Sequence, residues 1–255
     1  MTQVIMLGTG AAYSDPSREQ TYLVVKGRRN AVLVDCGGSP TQRLARAGVA
    51  LNSIDHIVLT HHHPDHLYGL PVFLLDLWLA KRKRVLHIYG LRETLRAAKR
   101  MMQAFEWERW FEYGFFPIEF HAIPNKPRTL VFHTDEFSVF ASPTKHSLPA
   151  IAVCVVSQAS GKAMVYSSDT VMCAAVAELA SGADLLIHEA TMLSRASHGH
   201  SSAVQAGMVA HQAGVKKLVL THLPPGADAK KYHAAAKKNF KGQVIVSRDF
   251  ARYEF

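Results

Sequence analysis

The sequence predicts one α/β domain in which packed sheets carry helices on their outside. Three observations predict it. Short β-branched runs recur along the chain, segments of helical period lie between several of them, and no Pro/Ser-rich linker divides the 255 residues.

The runs at 4–7, 22–25 and 31–34 follow closely enough to pair as neighbouring strands, and 57–60 and 85–89 continue the series. Residues 67–79 and 91–105 space their apolar side chains as helices do. The second half opens with strand-like runs at 139–141, 151–156 and 163–167. Of these, 151–156 passes through Gln158-Ala-Ser-Gly161 straight into 163–167, a hairpin. From there helical segments (171–180, 201–213, 227–240) alternate with strand-like ones (185–188, 218–221, 244–247) as crossover units. Gly182, Asp184 and Gly214 stand at helix-to-strand junctions, where stop signals belong.

Composition narrows the class. With 48% hydrophobic and 19% charged residues, the chain has the material for a large core. No apolar run approaches the ~18–20 residues of a membrane span, so no membrane association is expected. The first eight residues lack a basic leader and read as a strand entering a glycine turn. Cys36, Cys154 and Cys173 are too few and too scattered for a disulfide framework, and a reduced, cytoplasmic setting is the expectation. Lys and Arg outnumber Asp and Glu by 29 to 20, a surface suited to anionic partners such as phosphates or nucleic acid.

The 15 histidines are the unusual number, and their placement carries the functional reading. The sharpest group is His61-His-His63-Pro-Asp65-His66, directly after the apolar run 57–60. Imidazole and carboxylate together suit zinc, manganese or iron, and a tight loop leaving a strand lets several side chains converge. His61 and His63 can point to one side while Asp65 and His66 serve a neighbouring ion. A shorter signal is an echo: Ile57-Val-Leu-Thr-His61 returns as Leu218-Val-Leu-Thr-His222. Each delivers a histidine at a strand's C-terminal edge, where α/β sheets usually place their sites.

The His61 to His66 motif resembles that of the metallo-β-lactamase superfamily, which implies a four-layered αββα sandwich. The resemblance supplies the remaining ligands: His146 in Pro143-Thr-Lys-His146, Asp169 in Val165-Tyr-Ser-Ser-Asp169, and His222 in Val219-Leu-Thr-His222. It implies His61, His63 and His146 on one metal, Asp65, His66 and His222 on a second, and Asp169 bridging them. Two divalent ions, most simply Zn2+ with Mn2+ or iron as alternatives, would share a hydroxide and clamp the oxygens of a displacement. Asp65 would also orient or deprotonate the attacking water.

Leu186-Ile-His188-Glu189-Ala190-Thr191 and Gly199-His200-Ser201 resemble the ribonuclease Z branch, as does the opening Leu7-Gly8-Thr9-Gly10. The resemblance implies His200 as the general acid that protonates the leaving oxygen, oriented by Glu189. His198 lies close by, but Ser201 opening the next helix favours His200. The match breaks where that branch grips tRNA. The 151–167 hairpin leaves no room for an extended arm, Ala152-Val153-Cys154 replaces a Gly-Tyr-Arg sequence, and Leu223-Pro224-Pro225-Gly226 follows His222 without an Arg-Tyr pair.

The expectation is a phosphodiesterase of the ribonuclease Z-like group, acting on RNA or a smaller cyclic or linear diester. The alternatives are a tRNA 3′-processing endoribonuclease proper, a lactonase or other ester hydrolase, and an iron-dependent oxidoreductase on the same scaffold. The lactonase tyrosine is absent from Asp169-Thr-Val-Met-Cys173, and an oxidoreductase leaves Glu189 and His200 without a role. Two further features carry open readings. The basic run at 81–84 and the aromatic-rich stretch at 105–120 either contact substrate or serve as helix end, core and homodimer surface.

Overall fold

Strands whose two faces are both apolar need cover on both sides, and that requirement builds the architecture. In β1 (Gln3–Gly8) Val4 and Met6 face one way and Ile5 and Leu7 the other, and all four are buried. The computed structural model describes residues 2–13 and 15–255. β1 joins β2 (Tyr22–Lys26), β3 (Ala31–Val34), β4 (Ile54–Leu59), β5 (Leu86–Gly90), β6 (Ile118–Ala122) and the late β14 (Arg252–Glu254) in one seven-stranded sheet ordered β14-β1-β2-β3-β4-β5-β6. The second sheet runs β13-β12-β11-β10-β9-β8-β7. It comprises β7 (Thr129–His133), β8 (Phe137–Pro143), β9 (Ile151–Ser157), β10 (Ala163–Tyr166), β11 (Leu185–Glu189), β12 (Lys217–Thr221) and β13 (Gln243–Val246).

Three apolar cores separate four layers. Val4, Met6, Val58, Val153, Tyr166 and Val219 meet between the sheets. Ile5, Leu33, Ile57 and Leu59 face α1 (Pro40–Arg46), α3 (Leu70–Leu79) and α4 (Arg92–Gln103), which contribute Leu44, Phe73 and Leu95. Val165, Leu186 and Leu218 face α5 (Ala174–Leu179), α6 (Ala203–Ala213) and α7 (Ala229–Lys237). The result is the expected αββα sandwich.

The departures from expectation have local causes. The segment 67–79 divides into α2 (Pro64–Leu67) and α3, because the Gly69 amide donates to the Cys36 carbonyl at 2.9 Å instead of continuing a helix. β6 and β7 are half-exposed edge strands, β6 of mixed polar sequence and β7 with only Leu130-Val131-Phe132 apolar between polar ends, and β14 is three residues long with charges at both ends, so none of them carries a long apolar run. The stop signals stand as expected, with Gly182 and Gly214 at φ of 67° and 63°. The cap of α6 is Ser202 in a reciprocal pair with Gln205; Ser201 precedes it.

Candidate active site

One edge of both sheets gathers the histidines. Thr60 and His61 continue the buried line of β4, and Pro64, at the start of α2, turns the chain into a helix immediately after His63. Asp65 and His66 then point back from its first turn. The loop after β3 packs directly on this turn: a Cβ on Gly37 would lie 1.9 Å from the Asp65 carbonyl oxygen, so only glycine permits the approach. Three non-glycine residues at these strand ends hold left-handed backbone, Asp35 (φ 64°), Ser168 (φ 52°) and His222 (φ 56°). Such strain of about 1–3 kcal/mol each concentrates where side chains must converge.

The donor atoms form two adjoining groups. His61, His63, His146 and Asp169 make one, and Asp65, His66 and His222 the other. His63 Nδ1 lies 3.1 Å from both His61 Nε2 and His146 Nε2. Asp169 stands between the groups, its Oδ2 3.7 Å from His61 Nε2 and 3.5 Å from His66 Nε2, its Oδ1 3.4 Å from His222 Nε2. Asp65 Oδ2 is 3.4 Å from His66 Nε2 and 3.6 Å from His222 Nε2.

The outer nitrogens explain the orientation. His66 donates from Nδ1 to Asp35 Oδ2 at 2.7 Å, and His146 from Nδ1 to the Gly199 carbonyl at 3.0 Å. The Thr191 hydroxyl donates to Glu189 Oε2 and therefore accepts from His222 Nδ1 at 2.8 Å. Thr60 Oγ1 donates to Asp35 Oδ2 and in the same way accepts from His61 Nδ1 at 3.1 Å. Four imidazoles thus spend Nδ1 outward and aim a lone pair on Nε2 inward, the arrangement that metal-ligating histidines use. His66 Nε2, His222 Nε2 and Asp169 Oδ1 are buried with no hydrogen-bond partner among the described residues. Unpaired buried atoms of both kinds, converging, fit divalent cations.

Electrostatics agree. Burial pushes the Asp169 and Asp65 carboxyls up, but the surrounding imidazoles outweigh it and hold both well below the usual carboxylate range. Burial lowers His61 and His63. For His66 and His222 the opposing pull of Asp169, helped by Asp35 and Asp65 respectively, outweighs burial and raises both imidazoles above their ordinary value.

Beside the metal-type cluster sits His200, its side chain 18% exposed, with Nδ1 3.1 Å from Glu189 Oε1. Glu189 is fully buried and saturated: Oε1 also accepts the Ser201 amide, and Oε2 accepts the amide and hydroxyl of Thr191. His198 instead bonds its neighbour Ser197. Every residue singled out for the site, His61, His63, Asp65, His66, His146, Asp169, Glu189, His200 and His222, is brought to this one edge.

Two residues escaped the sequence reading. Asp35, an aspartate directly following a wholly buried strand, was the available signal for the partner of His66. Thr191 links His222 to Glu189, a role its place after Glu189 did not announce. Other candidates fall elsewhere. Arg82, 2% exposed, donates to Asp55 and to the carbonyls of Ile54, Arg84 and Val85, and Arg84 bonds Asp55 and Asn52. The basic run is therefore tied to the start of β4, opposite the end that leads to His61. In the aromatic stretch Trp107, Phe115 and Phe116 are buried in the helix-side core, while Phe105, Phe111 and Tyr113 are exposed.

Two packed sheets with a His/Asp cluster at their shared edge define a metallo-β-lactamase-fold, metal-dependent hydrolase. Residues 2–245 match the family described as anti-Pycsar protein Apyc1. A ribonuclease Z of Mycobacterium sp. (strain KMS) is 30% identical, the alignment covering 100% of this chain and 96% of the relative. Human short-form tRNase Z superposes with a TM-score of 0.80 at 28% identity, over 99% of this chain and 98% of that one. YhfI from Bacillus subtilis, a metallo-β-lactamase-fold protein, gives 0.82 at 21% identity, over 100% and 99%. The chain belongs to the metallo-β-lactamase superfamily, to its ribonuclease Z-like branch, and to the Apyc1 family.

Proposed function

We propose that this chain is a single-domain, dinuclear metal-dependent phosphodiesterase whose preferred substrates are small phosphodiesters. The observation that carries the reading is the His200–Glu189 pair, 3.1 Å apart at the rim of seven converging His and Asp donors. His61, His63 and His146 would hold one cation and Asp65, His66 and His222 the other, with Asp169 shared. The mixed imidazole and carboxylate set favours Zn2+, with Mn2+ or iron as alternatives. When bound, the ions supply Lewis acidity toward water and the phosphate oxygens.

The protein's own groups do the proton work. Asp65 orients the attacking water and takes its proton as the new P–O bond forms. Glu189 accepts from His200 Nδ1 and so orients the ring, and in the imidazolium form the second proton, on Nε2, passes to the oxygen that departs as its P–O bond breaks. The basic balance of the chain suits an anionic substrate. β9 and β10 are joined only by residues 158–162, which supports a substrate that needs no gripping arm. A second reading, tRNA 3′-end processing, is favoured by 28–30% identity to ribonucleases Z along the whole chain.

The deciding experiment is parallel turnover of precursor tRNA, small cyclic phosphodiesters and a chromogenic diester by metal-defined protein. Cleavage of the small diesters and not of the precursor is the expected result; the reverse overturns the substrate class. We also propose a homodimer that covers the exposed Phe105, Phe111 and Tyr113, for which light scattering should give twice the chain mass. A cytoplasmic setting fits the three free cysteines.

A further inference from the structure

A second group of metal-type donors lies apart from the active site, on the inner face of the first sheet near its β6 edge. Register explains how it forms. His87 on β5 pairs with Glu119 on β6, and two residues further along the same face Tyr89 pairs with His121. The alternation of side chains along a strand therefore puts His87, Glu119 and His121 on one surface. Their donor atoms make a triangle: His87 Nδ1 to His121 Nε2 is 3.1 Å, His87 Nδ1 to Glu119 Oε2 is 3.3 Å, and His121 Nε2 to Glu119 Oε2 is 3.5 Å.

We propose that His87, Glu119 and His121 form an additional, peripheral zinc site that fastens the edge strand β6 to β5. A tetrahedral zinc with ligands at roughly 2.0–2.2 Å separates neighbouring ligand atoms by about 3.3–3.6 Å. The observed triangle meets that requirement with little adjustment. Two imidazoles and one carboxylate are also a set that zinc accepts.

The rings are held in advance. His87 stacks on His56 at 5.2 Å and 16°, and His121 on Tyr89 at 4.7 Å and 20°. Phe132 of β7 stacks in turn on His56 and Tyr89, at 4.3 and 4.8 Å. The stack restricts both imidazoles before any ion arrives, which lowers the ordering cost of binding. Glu119 is 56% exposed, so the fourth position opens to solvent.

This site is separate from the catalytic cluster. Tyr89 and His121 lie level with Val58, three residues before His61 and two strands away from β4 at His121. That is about 10 Å along the strands and about 10 Å across them. The proposal does not depend on the substrate assignment, and occupancy can be read without turnover.

The test titrates Zn2+ into the full chain whose catalytic centre is already loaded, following zinc per chain by elemental analysis and affinity by competition with a chelator. The wild-type chain should take up one equivalent more than Glu119→Gln and His121→Asn do. In both variants the affinity of the extra site should fall at least about tenfold, since even altering a ligand's hydrogen-bond partner costs that much. Turnover of a chromogenic diester should be unchanged. Glu119→Gln replaces an exposed side chain and leaves the fold intact, so its result stands if His121→Asn is unstable. Equal zinc content and affinity in the wild type and Glu119→Gln would mean that the triangle is a hydrogen-bonded triad only, and would overturn the proposal.

Discussion

The two sheets follow one plan and use it differently. Each begins with three antiparallel pairings, β14-β1-β2-β3 and β7-β8-β9-β10, and ends with three parallel ones, β3-β4-β5-β6 and β10-β11-β12-β13. An aspartate follows the switch strand in both, Asp35 after β3 and Asp169 after β10, each at or beside a positive φ. The first sheet then concentrates four donors between His61 and His66. The second spreads its three over the ends of three strands, with His146 after β8, Asp169 after β10 and His222 after β12, while β11 ends in Glu189, the partner of His200. A site can thus be assembled from one dense loop and several sparse ends, and the sparse half is the one that depends on the fold being right.

The comparison breaks if the sparse half is ornamental, and Asp169→Ala tests that most severely. Asp169 approaches donors of both groups, so its loss should remove at least one of two bound metal ions per chain. It should lower turnover at least about 10³-fold, beyond what one lost hydrogen-bond donor costs. Elemental analysis beside steady-state kinetics reads both; full metal content with near-normal turnover would refute the shared position. His200→Ala comes next. It should keep its metal yet lose about 10²–10⁴ in kcat. The deficit should shrink for a nitrophenolate leaving group, which departs without a proton. A uniform deficit across leaving groups would argue against general-acid action.

The same contrast governs what could be read from sequence. The donors at His61, His63, Asp65 and His66 declare themselves because four of them fall within six residues after an apolar strand. His146 and Asp169 are unremarkable locally and enter only through family resemblance, whereas His222 is also marked by the echo of Ile57 to His61. The Ile57 to His61 echo in Leu218 to His222 does not mark the duplication: β12 occupies the place of β5, and the counterpart of β4 is β11. Pairing direction, which no five-residue window contains, carries the repeat. Edge strands β6 and β7 went unread because half-exposed strands need no long apolar run. Asp35 and Thr191 went unread because their roles arise from hydrogen bonds closed only in three dimensions.

Asp35 offers the intermediate test, since the first sheet depends on it as the second does on Thr191. Asp35→Asn keeps the shape but replaces the carboxylate that His66 Nδ1 donates to at 2.7 Å. Loss of such a partner should cost about 10–100-fold in metal affinity or activity. The direct cluster remains in place and His61 meets Asp35 only through Thr60, so chelator competition should show the larger weakening at the ion that His66 would hold. Equal weakening of both would mean that Asp35 supports the cluster as a whole.

The smallest effect belongs to the end of the second sheet far from the site, where Asp184 precedes β11. Its Oδ1 accepts from Lys216 Nζ at 2.7 Å and its Oδ2 from the Ala163 amide at 3.0 Å. Partial burial raises the Asp184 carboxyl, but the Lys216 ammonium and the Ala163 amide outweigh it and bring the group below its ordinary value. A carboxyl depressed in the folded state contributes stability above its unfolded pKa, and that contribution disappears as pH falls through the folded one. Lys216 is 73% exposed, so the contribution should stay under about 1 kcal/mol. Asp184→Asn should therefore be slightly less stable in urea from pH 5 to 8, values well above the ~3.9 of an unfolded aspartate. The gap should close as the medium becomes more acidic than the depressed carboxyl, with turnover unchanged throughout. A gap that persisted undiminished in acid would assign the effect to the Ala163 contact instead of the charge, and a loss of turnover would mean that the two ends of the second sheet are coupled.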